Sequence, residues 1–291
     1  MNFEERAIGF PCRESMLYGI VSLPEQVRSR GVLILVGGPQ YRAGSHRQFT
    51  LLARGLAAQG IPAMRFDYRG MGDSEGSIRN FEDVGDDLRA AIDQFLAAVP
   101  GMTEIAIWGL CDGASAALFY AFQDRRVTGL VLLNPWVRTL DGIAKTTLKH
   151  YYRGRLLEAG FWKKILSGKF EYAAAAKSFF KLVGSAFSVN KSDAPETGQS
   201  ISASVQRAET LPDRMFAGFN QFTGKVLLII SGADLTAQEF SDMVKASSKW
   251  QRLLAAARVN QKRLEGADHT FSRRVWRDQV CNWTGDWIRS W

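Results

Sequence analysis

Between residue 31 and about residue 133 the sequence alternates short apolar runs with longer segments of helical period. The runs are 32–36 (VLILV), 61–66 (IPAMRF), 104–108 (EIAIW) and 129–133 (GLVLL). They are rich in branched residues and lack the polar alternation of a half-exposed strand, so they suit strands buried on both faces. The segments between them space apolar residues as helices do, as in Phe81, Val84, Leu88, Ile92 and Phe95. Another helical segment starts near Ser45, where Ser45 and Gln48 have capping-box spacing. A third follows Cys111. This alternation predicts a mostly parallel central sheet with helices on both faces. Ahead of it, residues 3–10 and 16–23 read as an antiparallel hairpin.

The rhythm stops over residues 136–222, which contain no convincing buried strand. That stretch holds 13 Lys and Arg against 7 Asp and Glu, so it carries most of the chain's net charge of +8. It is also rich in aromatics, among them Tyr151, Tyr152, Phe161 and Trp162, and residues 185–206 are rich in Ser, Asn and Gly. The strand pattern resumes at 225–230 (KVLLII). A helix opened by a Thr236–Glu239 capping box, a strand at 259–264 and a helix from Ser272 follow. The expectation is an α/β core over 1–135 and 223–291, with a helical cap insertion over 136–222 between the sixth and seventh strands.

Composition removes several function classes. With 46% hydrophobic and 23% charged residues, the chain has the make-up of a soluble domain with a sizeable core. No apolar run approaches the roughly 20 residues of a membrane span. The stretch MNFEERAIGF lacks a basic-then-apolar signal pattern, which makes the cytoplasm the expected location. Basic residues are scattered, without a long run or an aromatic nucleic-acid motif, so no nucleic-acid partner is expected. Cys12, Cys111 and Cys281 form no CxxC pair and no zinc-type cluster with histidine. Neither a metal nor a disulfide framework is indicated, and no cofactor is expected. A G-x-G at Gly70–Gly72 lacks the spacing of a dinucleotide site.

One segment carries chemistry. Gly109-Leu110-Cys111-Asp112-Gly113 has the form G-x-nucleophile-x-G, placed between an apparent strand and a helix. The glycines leave room for a sharp bend, and a helix N-terminus beneath the sulfur favours the thiolate. The Asp112 carboxylate opposes this if it points at the sulfur and not if it points away. A thiol nucleophile needs a base. Of the three histidines, His269 lies in a loop after the last strand, His46 opens the first helix and His150 falls in the insertion. Asp234, after the strand at 225–230, is the acid in the order nucleophile, acid, base. Asp268, next to His269, is the second candidate. The oxyanion donors expected are the backbone N–H groups of Asp112 and Gly38, with Gln40 as second choice, since Pro39 has no N–H.

These residues resemble the α/β-hydrolase superfamily over nearly the whole chain, through GGPQ at 37–40, DYRGMGDSEG at 67–76, GLCDGAS at 109–115, SGADLT at 231–236 and GADH at 266–269. VGGPQYRAGSHRQF, RFDYRGMGDSEG and GLCDGASAAL are similar more narrowly to the exosortase A system-associated hydrolase, type 1. The resemblance implies a cytoplasmic enzyme with a Cys111, Asp234 and His269 triad, accompanying exopolysaccharide and protein-sorting systems. The activity expected is hydrolysis of an ester, thioester or lactone through an acyl-enzyme, on a small-molecule or carrier-bound acyl substrate. Two alternatives stand beside it: acyl transfer by the same triad, and a non-catalytic partner that makes peripheral contact with an anionic membrane through the basic insertion.

Overall fold

The computed structural model describes residues 2–38, 40–137 and 210–291. The expected cap, with its aromatic residues and His150, lies outside the described residues over 138–209. The chain divides into one unit of Met1–Val137 with Pro212–Trp291 and a second of Arg138–Leu211. The first unit carries the sheet.

That sheet has eight strands: β1 (Phe3–Cys12), β2 (Ser15–Pro24), β3 (Arg30–Leu35), β4 (Ala63–Asp67), β5 (Glu104–Leu110), β6 (Val127–Leu133), β7 (Lys225–Ser231) and β8 (Val259–Leu264). Their order is β1-β2-β4-β3-β5-β6-β7-β8. β1 pairs antiparallel with β2, and β2 antiparallel with β4. All other pairings are parallel; Val32 of β3, for example, lies between Ala63 of β4 and Ala106 of β5. The expected hairpin and mostly parallel sheet are both present. Because the parallel strands run one way, the loops after β3, β4, β5, β7 and β8 all leave the same edge of the sheet, where ligands bind in open α/β sheets.

Side chains alternate across each strand. Val32, Ile34 and Val36 pack on one face with Phe49, Leu52 and Leu56 of α1 (Gln48–Ala57) and with Val280, Trp287 and Ile288 of α7 (Arg274–Arg289). On the other face a Cβ at Gly31 would run into Met102 and Phe95, which places α2 (Gly85–Ala98) there. Helices therefore cover both faces. Full burial of each Val, Leu, Ile or Phe side chain contributes roughly 1.5–3 kcal/mol. α4 (Leu211–Gln221) belongs to this packing, so the core unit resumes at Pro212, ahead of residue 223. Gly218 of α4 sits so close to the Leu118 carbonyl of α3 (Asp112–Tyr120) that a Cβ there would collide with it. Phe216, Phe219 and Phe240 meet the Trp250 ring edge-on at 5.5, 6.0 and 5.9 Å, joining α4 to α5 (Leu235–Lys245) and α6 (Ser248–Leu254).

Helix starts differ from the sequence expectation in an instructive way. The Ser45–Gln48 capping box is not formed: Ser45 lies in a short 3-10 turn, and the Phe49 and Thr50 N–H groups donate to the Ala43 carbonyl at 3.1 and 3.4 Å. A backbone carbonyl satisfies the end that a serine hydroxyl was expected to cap. At α5 the cap is Asp234 rather than Thr236, with its carboxylate accepting from the Thr236 and Ala237 N–H groups. At α7 Ser272 is held by the Asp268 carboxylate, through its N–H at 2.9 Å and through its hydroxyl, so the helix begins at Arg274.

Gly218→Ala should lower stability to urea by about 1–3 kcal/mol through overpacking against α3. Gly85→Ala, whose added methyl meets only Tyr120 at 3.9 Å, should change it by less than about 1 kcal/mol. Equal effects in equilibrium melts would show that α4 does not dock as described.

Candidate active site

β5 ends at Leu110 and α3 begins at Asp112, so the chain reverses within the single residue Cys111. Cys111 adopts φ 59°, ψ −124°, a conformation that costs a non-glycine residue of order 1–3 kcal/mol. Its surroundings hold it there. The Cys111 N–H donates to the Leu133 carbonyl at 2.9 Å, and its own carbonyl accepts from Ala114 at 3.0 Å and Trp136 at 3.2 Å. The flanking glycines are steric requirements. A Cβ at Gly109 would lie 2.5 Å from the Gly113 backbone, and one at Gly113 would lie 2.7 Å from the Leu35 carbonyl. The sulfur, half-buried, is thus set at the exit edge of the sheet.

The loops after β7 and β8 are laced together, Gly232 N–H to the Leu264 carbonyl at 2.8 Å and Ala233 N–H to the Ala267 carbonyl at 2.9 Å. This lacing brings Asp234 and His269 into contact, with Nδ1 of the ring 2.9 Å from Oδ2 of the carboxylate. The same oxygen accepts from the Ala237 N–H at 3.0 Å, so the cap of α5 and the imidazole share one buried carboxylate. Burial pushes the Asp234 carboxyl up, but the His269 ring and the two N–H groups outweigh it and the net shift is downward. His269 moves the other way, up to about 10, driven first by the Asp234 carboxylate and next by the Cys111 sulfur, against the effect of burial. With Nδ1 on Asp234, Nε2 is the nitrogen left for a partner. Asp268 is engaged with Ser272 instead, and His46 is exposed in the turn before α1.

The expected oxyanion donors are together, but not as expected. The Gly38 N–H donates to Oδ2 of Asp112 at 2.7 Å, and the Gly113 N–H donates to Oδ1 at 3.0 Å. Asp112 meets Gly38 with its carboxylate. A Cβ at Gly37 would collide with that carboxylate. Gln40, the second-choice donor, spends its N–H on the Gly38 carbonyl at 2.8 Å.

Two supports were not visible in the sequence. Asn134, buried just after β6 with φ 44°, accepts from the Ser231 N–H at 2.9 Å and donates to the His269 carbonyl at 3.2 Å. It fastens the histidine loop to β7. Asp67, fully buried at the end of β4, accepts from the Arg42 N–H at 2.6 Å and pairs with the Arg42 guanidinium. That guanidinium also reaches Asp73 at 2.7 Å, and the Tyr41 hydroxyl donates to Asp73 at 2.9 Å. The loop after β3 is thereby clamped to the loop after β4. An asparagine before a proline and an aspartate closing a strand are the only signals either site leaves in the sequence. Among the described residues no group of His, Cys, Asp and Glu side chains is arranged to hold a metal, and no helix is long and apolar enough to cross a membrane.

Residues 28–178, just over half of the chain, match the family model described as serine aminopeptidase, S33. A 90-residue stretch is 31% identical to the polyketide transferase grgF of a Penicillium species, and covers 30% of this chain and 31% of that protein. Solved structures similar to this one include the esterase Pf2001 of Pyrococcus furiosus, with a TM-score of 0.63 at 16% identity over 99% of this chain and 93% of the other. The dienelactone hydrolase of Anabaena variabilis gives 0.60 at 14% identity over 100% and 99%. The α/β-hydrolase GrgF of Penicillium gives 0.60 at 15% over 98% of each chain. At these identities the structures establish the α/β-hydrolase fold.

Asp234→Asn removes the charge that raises the imidazole pKa. In that variant the His269 ring, followed by NMR, should titrate well below its wild-type value of about 10 and nearer the ordinary 6.5. The sign follows for stability. The wild type's advantage over the variant is full below pH 6.5, where the ring is charged in both folded and unfolded chains, and is lost as pH rises through about 10. A ring that titrates alike in both proteins would mean the Asp234 contact does not govern it.

Proposed function

The chain belongs to the serine aminopeptidase S33 family of hydrolases, and on that premise we propose that it is a cysteine-dependent acyl hydrolase whose nucleophile is Cys111. The observation that carries this reading is the buried Asp234 carboxylate 2.9 Å from Nδ1 of His269, whose ring also feels the sulfur of a cysteine fixed at φ 59° between a strand and a helix. A structural cysteine needs neither the strained turn nor a histidine raised to about 10 beside it. The family's description names serine, and Cys111 stands here at the elbow; the chemistry follows the thiol.

In the acylation step the sulfur attacks an ester, thioester or lactone carbonyl, and the carbonyl π pair moves onto oxygen. When the C=O re-forms, the bond to the leaving alkoxide or thiolate breaks, and the imidazolium of His269 supplies its proton. Water then attacks the thioester, gives a proton to the ring, and releases the acid and the Cys111 sulfur. Asp234 fixes the ring's tautomer and stabilises its charged form. Because the ring holds its proton up to about pH 10, donation to the leaving group is available across the neutral range. Turnover of esters with poor leaving groups should fall as pH rises through that value.

Acyl transfer is the second reading. It is favoured by the match to a protein named as a polyketide transferase, and by the reactivity of a thioester toward amines and thiols. On this reading the substrate is an acyl group on a small molecule or a carrier. The association with exosortase systems and the cytoplasmic location rest on the sequence.

Steady-state turnover of p-nitrophenyl esters and acyl thioesters tests the assignment. Cys111→Ala and His269→Ala should each lose at least about a thousandfold, and Asp234→Asn about a hundredfold or more, with folding unchanged by circular dichroism. Retention of wild-type turnover by Cys111→Ala would refute the nucleophile. Discharge of the acyl-enzyme by added amines or thiols far faster than by water would identify a transferase; indifference to them would identify a hydrolase.

A further inference from the structure

The Asp112 carboxylate has no part in the triad, yet it lies in the middle of the site. It receives the Gly38 N–H at 2.7 Å and the Gly113 N–H at 3.0 Å, and its own backbone N–H also acts on it. Gly38 and Asp112 N–H are the two donors an acyl-transfer site of this topology would offer a developing oxyanion. A carboxylate oxygen with these partners has the charge and the hydrogen-bond environment of that oxyanion. The fit is close: a Cβ at Gly37 would collide with the carboxylate, and also with the Leu110 carbonyl and the Gly113 nitrogen. Gly38, at φ 60°, turns its N–H toward the carboxylate.

We propose that the Asp112 carboxylate is an internal occupant of the oxyanion pocket, which a substrate carbonyl must displace from the Gly38 N–H before the tetrahedral intermediate can be stabilised. The inference rests on Cys111 being the nucleophile. It assigns Asp112 a function separate from the triad, as a brake on carbonyl chemistry at a competent thiol. Two negative oxygens cannot share one donor pocket, so the charge on Asp112 and the charge on the oxyanion exclude each other.

The groups facing the carboxyl come from each surrounding loop. His269 approaches from the loop after β8, Tyr68 from the loop after β4, Gly38 from the loop after β3 and Gly113 from its own helix. Burial raises the Asp112 carboxyl above the usual carboxylate range, against the pull of the Gly38 and Gly113 N–H groups and of His269. Tyr68, pushed up to about 12 by burial and then by Asp112, stays neutral, and its hydroxyl is 3.5 Å from the Gly38 carbonyl. A neutral Asp112 acid would hold the Gly38 N–H less strongly than the carboxylate does, so the brake should loosen as pH falls through this carboxyl's titration.

The test compares two reactions at the same sulfur. Acylation by a p-nitrophenyl ester forms an oxyanion; alkylation by iodoacetamide displaces iodide and forms none. Intact-protein mass spectrometry gives both rates for the wild type, Asp112→Asn and Asp112→Ala. Their ratio removes any change in the reactivity of the thiol itself. Freeing a donor from a charged acceptor is worth on the order of tenfold or more. The acylation-to-alkylation ratio should therefore rise by about that factor in Asp112→Ala and by less in Asp112→Asn, whose amide oxygen can still accept from Gly38. The wild-type ratio should climb as pH is lowered, while that of Asp112→Ala stays flat. A ratio unchanged or lowered in folded Asp112→Ala would overturn the proposal. If that variant does not fold, Asp112→Asn decides alone, in the same direction. Alkylation without acylation in all three proteins would remove the nucleophile reading, and the brake with it; acylation at one common ratio would remove the brake only.

Discussion

The passage from β5 to α3 through one residue is the constraint to which the rest of the site answers. A turn that tight leaves Cys111 at φ 59°, and the strain is held by hydrogen bonds from β6 and from the first turn of α3. Gly109 and Gly113 are required because the strand, the helix and the end of β3 approach one another at backbone distance. The same approach brings the loop after β3 against the N-terminus of α3, which is why Gly37 and Gly38 touch Asp112. Strain of this kind persists only where surrounding structure over-determines it, and such places are disproportionately functional.

Electrostatics then separates the two carboxylates near one imidazole. Asp234 lies at the head of α5, where two N–H groups and the His269 ring keep it ionised. Asp112 is half-buried at the head of α3, and desolvation there raises it. Carboxyl groups whose pKa values are driven apart in one site have different roles. Asp234 is suited to holding a positive ring, and Asp112 to competing with a negative intermediate. Both depend on loops fastened from behind, by Asn134 on one side and by the Asp67–Arg42–Asp73 clamp on the other.

Much of this architecture was legible in the residues. Runs such as VLILV and KVLLII sit on strands because continuous branched apolar residues suit a sheet buried on both faces. The G-x-C-x-G spacing reads through because its glycines answer a local steric demand. What was not legible depends on long-range partners. The Ser45 and Thr236 caps failed because Ala43 and Asp234 satisfy those helix ends instead. The Asp112 carboxylate's meeting with Gly38 spans 74 residues of sequence, and Asn134's with the His269 loop spans 135. No local pattern encodes contacts set by strand order.

The account stands or falls on which atom carries the acyl group. The wild type and the His269→Ala variant, in which deacylation should stall, can each be mixed with an acyl thioester, quenched in acid and digested. Tandem mass spectrometry then locates the added acyl mass. The account predicts a thioester on Cys111, in the peptide that contains Gly109 and Gly113, with Cys12 and Cys281 unmodified. An acyl group on any other residue, while Cys111 stays free and open to alkylation, would contradict it.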